Sequence, residues 1–146
     1  MDQQNKQQSN YVLFFDGCSK GNPGRSGSGS VIYQDNVEVW SLGVFVGEKQ
    51  TNNYAEYYGL IYGLEEATKR GIEHITVKGD SLLVIKQMRG EYQVKSENLL
   101  KLYQQAKTLE KQFEKIEFIH IYRNENKRAD YLCNVGLLST STFEKI

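Results

Sequence analysis

Four acidic side chains occupy the ends of elements rather than their solvated flanks. Asp16 closes the apolar run YVLFF, Glu56 falls early in TNNYAEYYGL, Asp80 follows ITVKG, and Asp130 falls early in NKRADYLCN. A run as apolar as Tyr11 to Phe15 suits a central strand covered on both faces, where an ionised carboxylate is costly unless something compensates it. Asp16 therefore requires a partner. Glu65, Glu66, Glu110 and Glu114 differ: they sit among lysines on helix faces, where solvent alone accounts for them.

Glu56 has two readings. An acid near a helix start favours the macrodipole with no further role. Counting forward by four, seven, eight and eleven residues, however, gives Leu60, Gly63, Leu64 and Ala67, the stripe that would face a sheet, so Glu56 points inward. If Asp16, Glu56, Asp80 and Asp130 converge, their mutual repulsion leaves two outcomes at neutral pH: protonation, or capture of a hard cation. Oxygen-only ligation favours magnesium or manganese. Spacing alone leaves scattered structural acids as the alternative.

The elements needed to position such a cluster can be read along the chain. Tyr11 to Phe15 is a strand. The glycine-rich GNPGRSGSG, which carries the only proline, predicts a tight reversal before the strand SVIYQ. Gln34 to Asn36 make a hairpin turn into the alternating strand VEVWSLGVFV. Helical spacing begins near Thr51 or Asn52, either of which caps it, and ends at Gly71. IEHITVK follows as a strand, SLLVIKQM as a short helix closed by Gly90, and SENLLKLYQQAKTLEKQF as a longer helix capped by Ser96. IEFIHIY is the last strand and NKRADYLCNVGLL the last helix. This βββαβααβα order predicts a mixed α/β sheet, antiparallel through its hairpins and parallel through its crossovers. In such sheets strand ends and helix starts meet along one edge, where sites collect.

A chain of 146 residues with 39% hydrophobic and 25% charged content fits one folded domain. The polar leader, residues 1–9, reads as a disordered tail, residues 10–138 as the domain, and residues 139–146 as a fraying C-terminal tail. The formal net charge of zero offers no global basic field for nucleic acid, although local patches remain open. Cys18 and Cys133, with no signal-like start and no bilayer-length apolar run, read as reduced thiols of an intracellular protein without a membrane association.

The strings FFDGCSKGNPG, TNNYAEYYGLIYGL, GDSLLVIKQMRGEY and HIYRNENKRADYLCN resemble, in order and spacing, the motifs of the type 1 ribonuclease H family. The resemblance runs from about Tyr11 to Leu138. It implies a ribonuclease H-like fold with a five-stranded mixed sheet flanked by helices. It further implies endonucleolytic hydrolysis of the RNA strand of an RNA/DNA hybrid, leaving 5′-phosphate and 3′-hydroxyl ends. Asp16, Glu56, Asp80 and Asp130 would be the catalytic and metal-binding acids, with the Gly17 backbone beside them. Two Mg²⁺ ions, or Mn²⁺ in their place, would act with the substrate bound, and a monomer is expected. Gly17, Ser19, Asn22, Asn52 and Asn53 would lie along the hybrid's wide minor groove, where 2′-hydroxyls mark one strand. Thr51 and Asn22 would hold a DNA phosphate, with Lys49 adding charge. Each also has a plainer reading, Asn22 as turn starter before Pro23 and Thr51 as helix cap.

Three departures accompany the resemblance. The segment EYQVK between Gly90 and Ser96 leaves no room for the basic, tryptophan-bearing helical protrusion of bacterial relatives. No loop histidine precedes Asp130; His120 belongs to a strand, and Arg123 is the candidate for product release or phosphate contact, against a plain surface role. Leu82 stands where some relatives carry a polar groove contact. Together these place the chain with the compact archaeal and plant-like branch. Trp40 and the tyrosines at 54, 57, 58 and 62 are read as packing residues.

Overall fold

The computed structural model describes residues 9–139 and the backbone of residues 143–145, so most of the expected N-terminal tail lies outside the described residues. The elements are β1 (Tyr11–Lys20), β2 (Gly24–Gln34), β3 (Val37–Gln50), α1 (Asn52–Lys69), β4 (His74–Gly79), α2 (Leu82–Met88), α3 (Glu97–Glu110), β5 (Lys115–His120), a 3-10 turn (Arg123–Glu125), α4 (Lys127–Leu138) and β6 (Phe143–Lys145). The strands lie in the order β5-β4-β1-β2-β3-β6. β1, β2 and β3 pair antiparallel, while β4 and β5 join parallel to β1. Strands β1 to β5 make the predicted mixed sheet with helices on both faces, and β6 adds a sixth strand at the β3 edge.

Three local expectations need correction. β1 does not stop at Asp16 but continues to Lys20, with Asp16 opposite Gly29. Only Gly21 to Pro23 form the turn, and the stretch from Gly24 to Ser30 is strand. Its small residues are strand-forming here because they are covered. A Cβ at Gly27 or Gly29 would lie 2.3 or 2.4 Å from backbone oxygens of α4, and the Ser28 and Ser30 hydroxyls donate to the carbonyls of Ala55 and Gly59 in α1. The third correction concerns the C-terminal tail: residues 143–145 do not fray but add a short strand antiparallel to β3.

The remaining boundaries follow the sequence signals. Asp35 and Asn36 both have positive φ, 51° and 70°, as a two-residue hairpin turn between twisted strands requires. Thr51 caps α1, its hydroxyl accepting from the Tyr54 amide at 3.1 Å, and Ser81 caps α2 in the same way. Residues 90–96 contain no helix, in keeping with the missing protrusion.

One face of the sheet carries the main core, in which Leu13, Phe15, Ile32 and Trp40 meet Tyr57, Leu60, Ile61 and Leu64 of α1, and α3 packs outside α1. Tyr57 is fully buried, and its hydroxyl donates to the Gln87 side chain at 2.6 Å. The other face holds α4 through Ala129 and Leu132 against Val31. Both ends of α4 are clamped. Arg128 makes a paired contact with Glu38 of β3 at 2.9 and 3.0 Å, and Arg25 of β2 donates to the carbonyl of Leu137 at 2.7 Å. Because α4 rests backbone to backbone on Gly29, Gly29→Ala should cost about 1–3 kcal/mol, read as a lower urea midpoint at unchanged m-value.

Candidate active site

Directly paired residues of an antiparallel ladder project to the same side of the sheet. A Cβ on Gly29 would meet Ala129 and Cys133 of α4, so its partner Asp16 also faces α4. Glu56 arrives from α1, on the opposite face. The meeting is possible because residue 17 has no side chain: a Cβ there would stand 2.3 Å from the Glu56 amide nitrogen. The start of α1 thus settles directly on β1 and delivers the Glu56 carboxyl to Asp16. This is the close approach that Gly17 serves within the protein, apart from any contact with a ligand.

Asp80 follows β4 at once, and because Gly79 is in parallel register with Phe15, Asp80 comes level with Asp16. Asp130 lies in the first turn of α4. Carboxylate oxygens of Asp16, Glu56 and Asp80 lie within 4.8 Å of one another, and those of Asp16 and Asp130 lie within the same distance of each other and of the Cys133 sulfur. Asp16 belongs to both groups, so the expected convergence of the four acids is centred on it. The inward stripe predicted for α1 is also present, with Glu56, Leu60, Gly63, Leu64 and Ala67 all buried.

Sequence reasoning passed over Asn126. It is 1% exposed, and its amide donates to the Phe15 carbonyl at 2.9 Å and to Asp80 at 3.3 Å, tying β1, the end of β4 and the start of α4 together. Its position as N-cap four residues before Asp130 is the signal that was available. Cys133, a reduced thiol by its sequence context, also lies in this neighbourhood, three residues after Asp130 on the same helix face.

Burial and crowding dominate the electrostatics. Asp16 is pushed up to about 7, first by its removal from water and then by the charges of Asp80 and Asp130, against the stabilising Gly17 amide at 2.8 Å. Glu56 rises well above the usual carboxylate range, through burial and then through Asp16. One Glu56 oxygen, Oε1, is buried without a hydrogen-bond partner. Oxygen-only donors converging on a desolvated carboxylate with one unpartnered oxygen fit a hard divalent cation, which would satisfy that oxygen and relieve the repulsion.

The expected substrate residues line a neighbouring surface. Asn22, on the β1–β2 turn, accepts from the Asn52 amide at 2.9 Å, and the Ser19 hydroxyl donates to the Gln50 carbonyl at 2.8 Å. Thr51 and Lys49 are exposed, and Asn52 and Asn53 half-buried, around the N-terminus of α1. Arg123 is exposed on the 3-10 turn, and His120 sits half-buried at the end of β5, edge-on to Tyr122. Leu82 is 43% exposed at the first position of α2.

The Asp16 shift fixes the sign of the stability profile. Between the ordinary value of 3.8 and about 7, the folded chain holds a proton that the unfolded chain has released. Stability without metal should therefore fall as pH rises through this window. Thermal melts in chelator should show a higher Tm at pH 5 than at pH 8. Asp16→Asn should raise the pH 8 value by a few degrees, and Mg²⁺ should raise it for the unsubstituted chain.

A sequence profile described as "Reverse transcriptase-like" matches residues 14–136. The bifunctional protein Rv2228c of Mycobacterium tuberculosis is 44% identical over 124 residues, covering 84% of this chain and 34% of that protein. The chain thus spans about a third of this mycobacterial relative. The solved N-terminal RNase H domain of Rv2228c superposes with a TM-score of 0.85 at 40% identity, covering 89% of this chain and 94% of that one. Ribonuclease HI of Halobacterium salinarum is 36% identical over 124 residues, covering 85% of this chain and 62% of that protein. Its crystal structure gives a TM-score of 0.83 over 88% of this chain and 97% of that chain. LC11-RNase H1, solved in complex with RNA/DNA hybrid, gives 0.82 at 32% identity, over 88% of this chain and 96% of that chain. Four acids gathered from β1, α1, β4 and α4, on a sheet shared almost end to end with these proteins, have one common explanation: the chain belongs to the type 1 ribonuclease H family.

Proposed function

We propose that the chain is an endoribonuclease that hydrolyses the RNA strand of RNA/DNA hybrids with divalent metal ions, leaving 5′-phosphate and 3′-hydroxyl ends. The observation that carries the reading is the convergence of Asp16, Glu56 and Asp80 within 4.8 Å, with Asp130 joined to them through Asp16. The relatives named ribonuclease H and the solved LC11-RNase H1 complex with RNA/DNA hybrid support the substrate.

Asp16, common to both groups of ligand atoms, would hold the Mg²⁺ ions together with Glu56, Asp80 and Asp130. Once bound, the ions supply Lewis-acid chemistry, making a water nucleophilic at neutral pH and stabilising the departing 3′ oxygen. The protein's own contribution is position. The Asn126 amide holds Asp80, the clamps on α4 hold Asp130, and Gly17 sets the depth of Glu56. Carboxylates neutralise metal charge without themselves competing as nucleophiles under these conditions.

Recognition follows from the same edge of the fold. The Asn22 side-chain oxygen accepts from Asn52, and its NH₂, with no partner among the described residues, can donate to a phosphate or a 2′-hydroxyl. Thr51 and Lys49 stand beside it for a DNA phosphate, and the backbone at Gly17 and Ser19, with Asn52 and Asn53, faces the minor groove. Arg123, at the exit of β5, is assigned to phosphate contact or product release.

Purified chain incubated with labelled hybrid, DNA duplex and RNA duplex should cut only the RNA of the hybrid, and only with Mg²⁺ or Mn²⁺. Asp16→Asn should lower turnover by roughly 100-fold or more while the circular dichroism spectrum is unchanged. Hybrid bound but uncut by the unsubstituted chain in Mg²⁺ would identify a binding module instead. The two roles of Thr51 separate by substitution. Thr51→Asp keeps an N-cap acceptor and repels phosphate, so it should raise KM several-fold at unchanged Tm, whereas Thr51→Ala should lower Tm as well.

A further inference from the structure

A cavity of about 430 Å³ adjoins the acidic cluster, and the proposed hydrolysis leaves it unexplained. It lies between β1, β4, the 3-10 turn and the first turn of α4. Phe14 stands two residues before Asp16 on β1 and so projects to the same face of the sheet. Phe14 and Tyr33 pack beside Ala129 and Leu132 of α4, yet both stay half-buried because they also line the cavity. Their rings meet edge to face, 5.6 Å apart at 83°. Lys78, in parallel register with Phe14, holds its ammonium 5.6 Å from the centre of the Phe14 ring.

The charge of the cavity wall is positive. Arg128 is already paired with Glu38, and Glu125 accepts from the Tyr122 amide. Lys78 and Lys127 have no acidic partner among the described residues, and Lys127 is exposed.

We propose that this cavity binds a nucleotide, with the base against Phe14 and Tyr33 and the phosphate between Lys78 and Lys127. Aromatic side chains alone would accept any flat ring, and two lysines alone any anion. Both within one cavity call for a flat ring and an anion joined by a short linker. The volume lies in the range of about 300–1,000 Å³ usual for small-molecule sites. Bases of every kind stack on aromatic side chains, and the amides of Asn36 and Asn124, also in the wall, can donate and accept at a base edge. The flexible lysine stem lets Lys78 leave the Phe14 ring as the base takes its place and move to the phosphate.

Asn126 separates the cavity from the acids: it lines the one and donates to Asp80 in the other. A nucleotide at the end of a strand would therefore be held one side chain away from the acidic cluster. The cavity stands on its own geometry, and only this link to cleavage rests on the hydrolytic reading above.

The test titrates adenosine 5′-monophosphate into the isotope-labelled full chain in chelator, so that no metal bridges phosphate to the acids. The backbone amides of Phe14, Tyr33 and Lys127 should shift saturably. Adenosine and inorganic phosphate should each bind roughly tenfold more weakly. Lys78→Ser and Lys127→Ser should each weaken the nucleotide about tenfold, and Phe14→Leu should weaken it about fivefold or more. The lysine variants change side chains outside the core and remain informative if Phe14→Leu fails to fold. Absence of saturable shifts at these amides, or unchanged affinity in the double lysine variant, overturns the site. A 5′-phosphorylated RNA tetramer separates the two sources of such a group. Tighter binding than the mononucleotide assigns the cavity to a strand end, and weaker binding assigns it to a free nucleotide. Equal binding of the tetramer with and without its 5′-phosphate overturns the strand-end source. Nothing is hydrolysed in chelator, so a failed titration leaves the proposed function standing, and absence of cleavage in Mg²⁺ leaves the cavity standing.

Discussion

The structure is organised around one electrostatic difficulty, a carboxylate at the centre of a sheet with three others aimed at it. Asp16 is 5% exposed and Glu56 6%, and neither has a cationic partner among the described contacts. A protein that needed only a stable core would place apolar residues at both positions, since crowded buried acids cost stability however they protonate. A divalent cation of the kind proposed above would offset that cost. Every nearby feature serves to hold the acids against their own repulsion. The Gly17 amide donates to Asp16, Asn126 braces Asp80, and paired arginine contacts fix α4 at both ends.

The second organising element is the small-residue tract from Gly24 to Ser30. By itself it resembles a loop, because glycine and serine rarely fill a central strand. Its function is to be thin. With no bulk above or below β2, α1 and α4 approach the sheet closely on opposite faces, and the serine hydroxyls satisfy carbonyls of α1. Close approach brings side chains as short as aspartate, attached to different elements, within 4.8 Å of one another.

Much of this was legible in the sequence, for physical reasons that vary by position. The hydrophobic stripe starting at Glu56 fixed its inward orientation, because helical periodicity leaves no other face for Leu60 and Leu64. The strand pattern placed Trp40 in the core. The short polar segment from Gln34 to Asn36 announced a hairpin turn, which the chain makes at Asp35 and Asn36. What escaped depended on partners distant in the chain. The strand character of GRSGSG comes from helices more than twenty and more than a hundred residues away, and nothing local encodes it. The sixth strand escaped because STSTFEKI has a weak pattern, and only the exposed edge of β3 gives residues 143–145 a pairing partner. Asn126 was invisible for the same reason: its meaning lies in the Phe15 carbonyl and the Asp80 carboxylate.

Helix α1 joins two tasks along one rigid rod. Its cap, Thr51, and first residue, Asn52, stand at the turn carrying Asn22, and Glu56 follows one turn later. Helical hydrogen bonds make the two ends of that turn nearly inseparable, so a push on one is felt at the other within a fraction of an ångström. A duplex seated badly at the cap would carry Glu56 out of line with Asp16, and the fold would thereby couple fidelity of docking to competence for chemistry without any moving part.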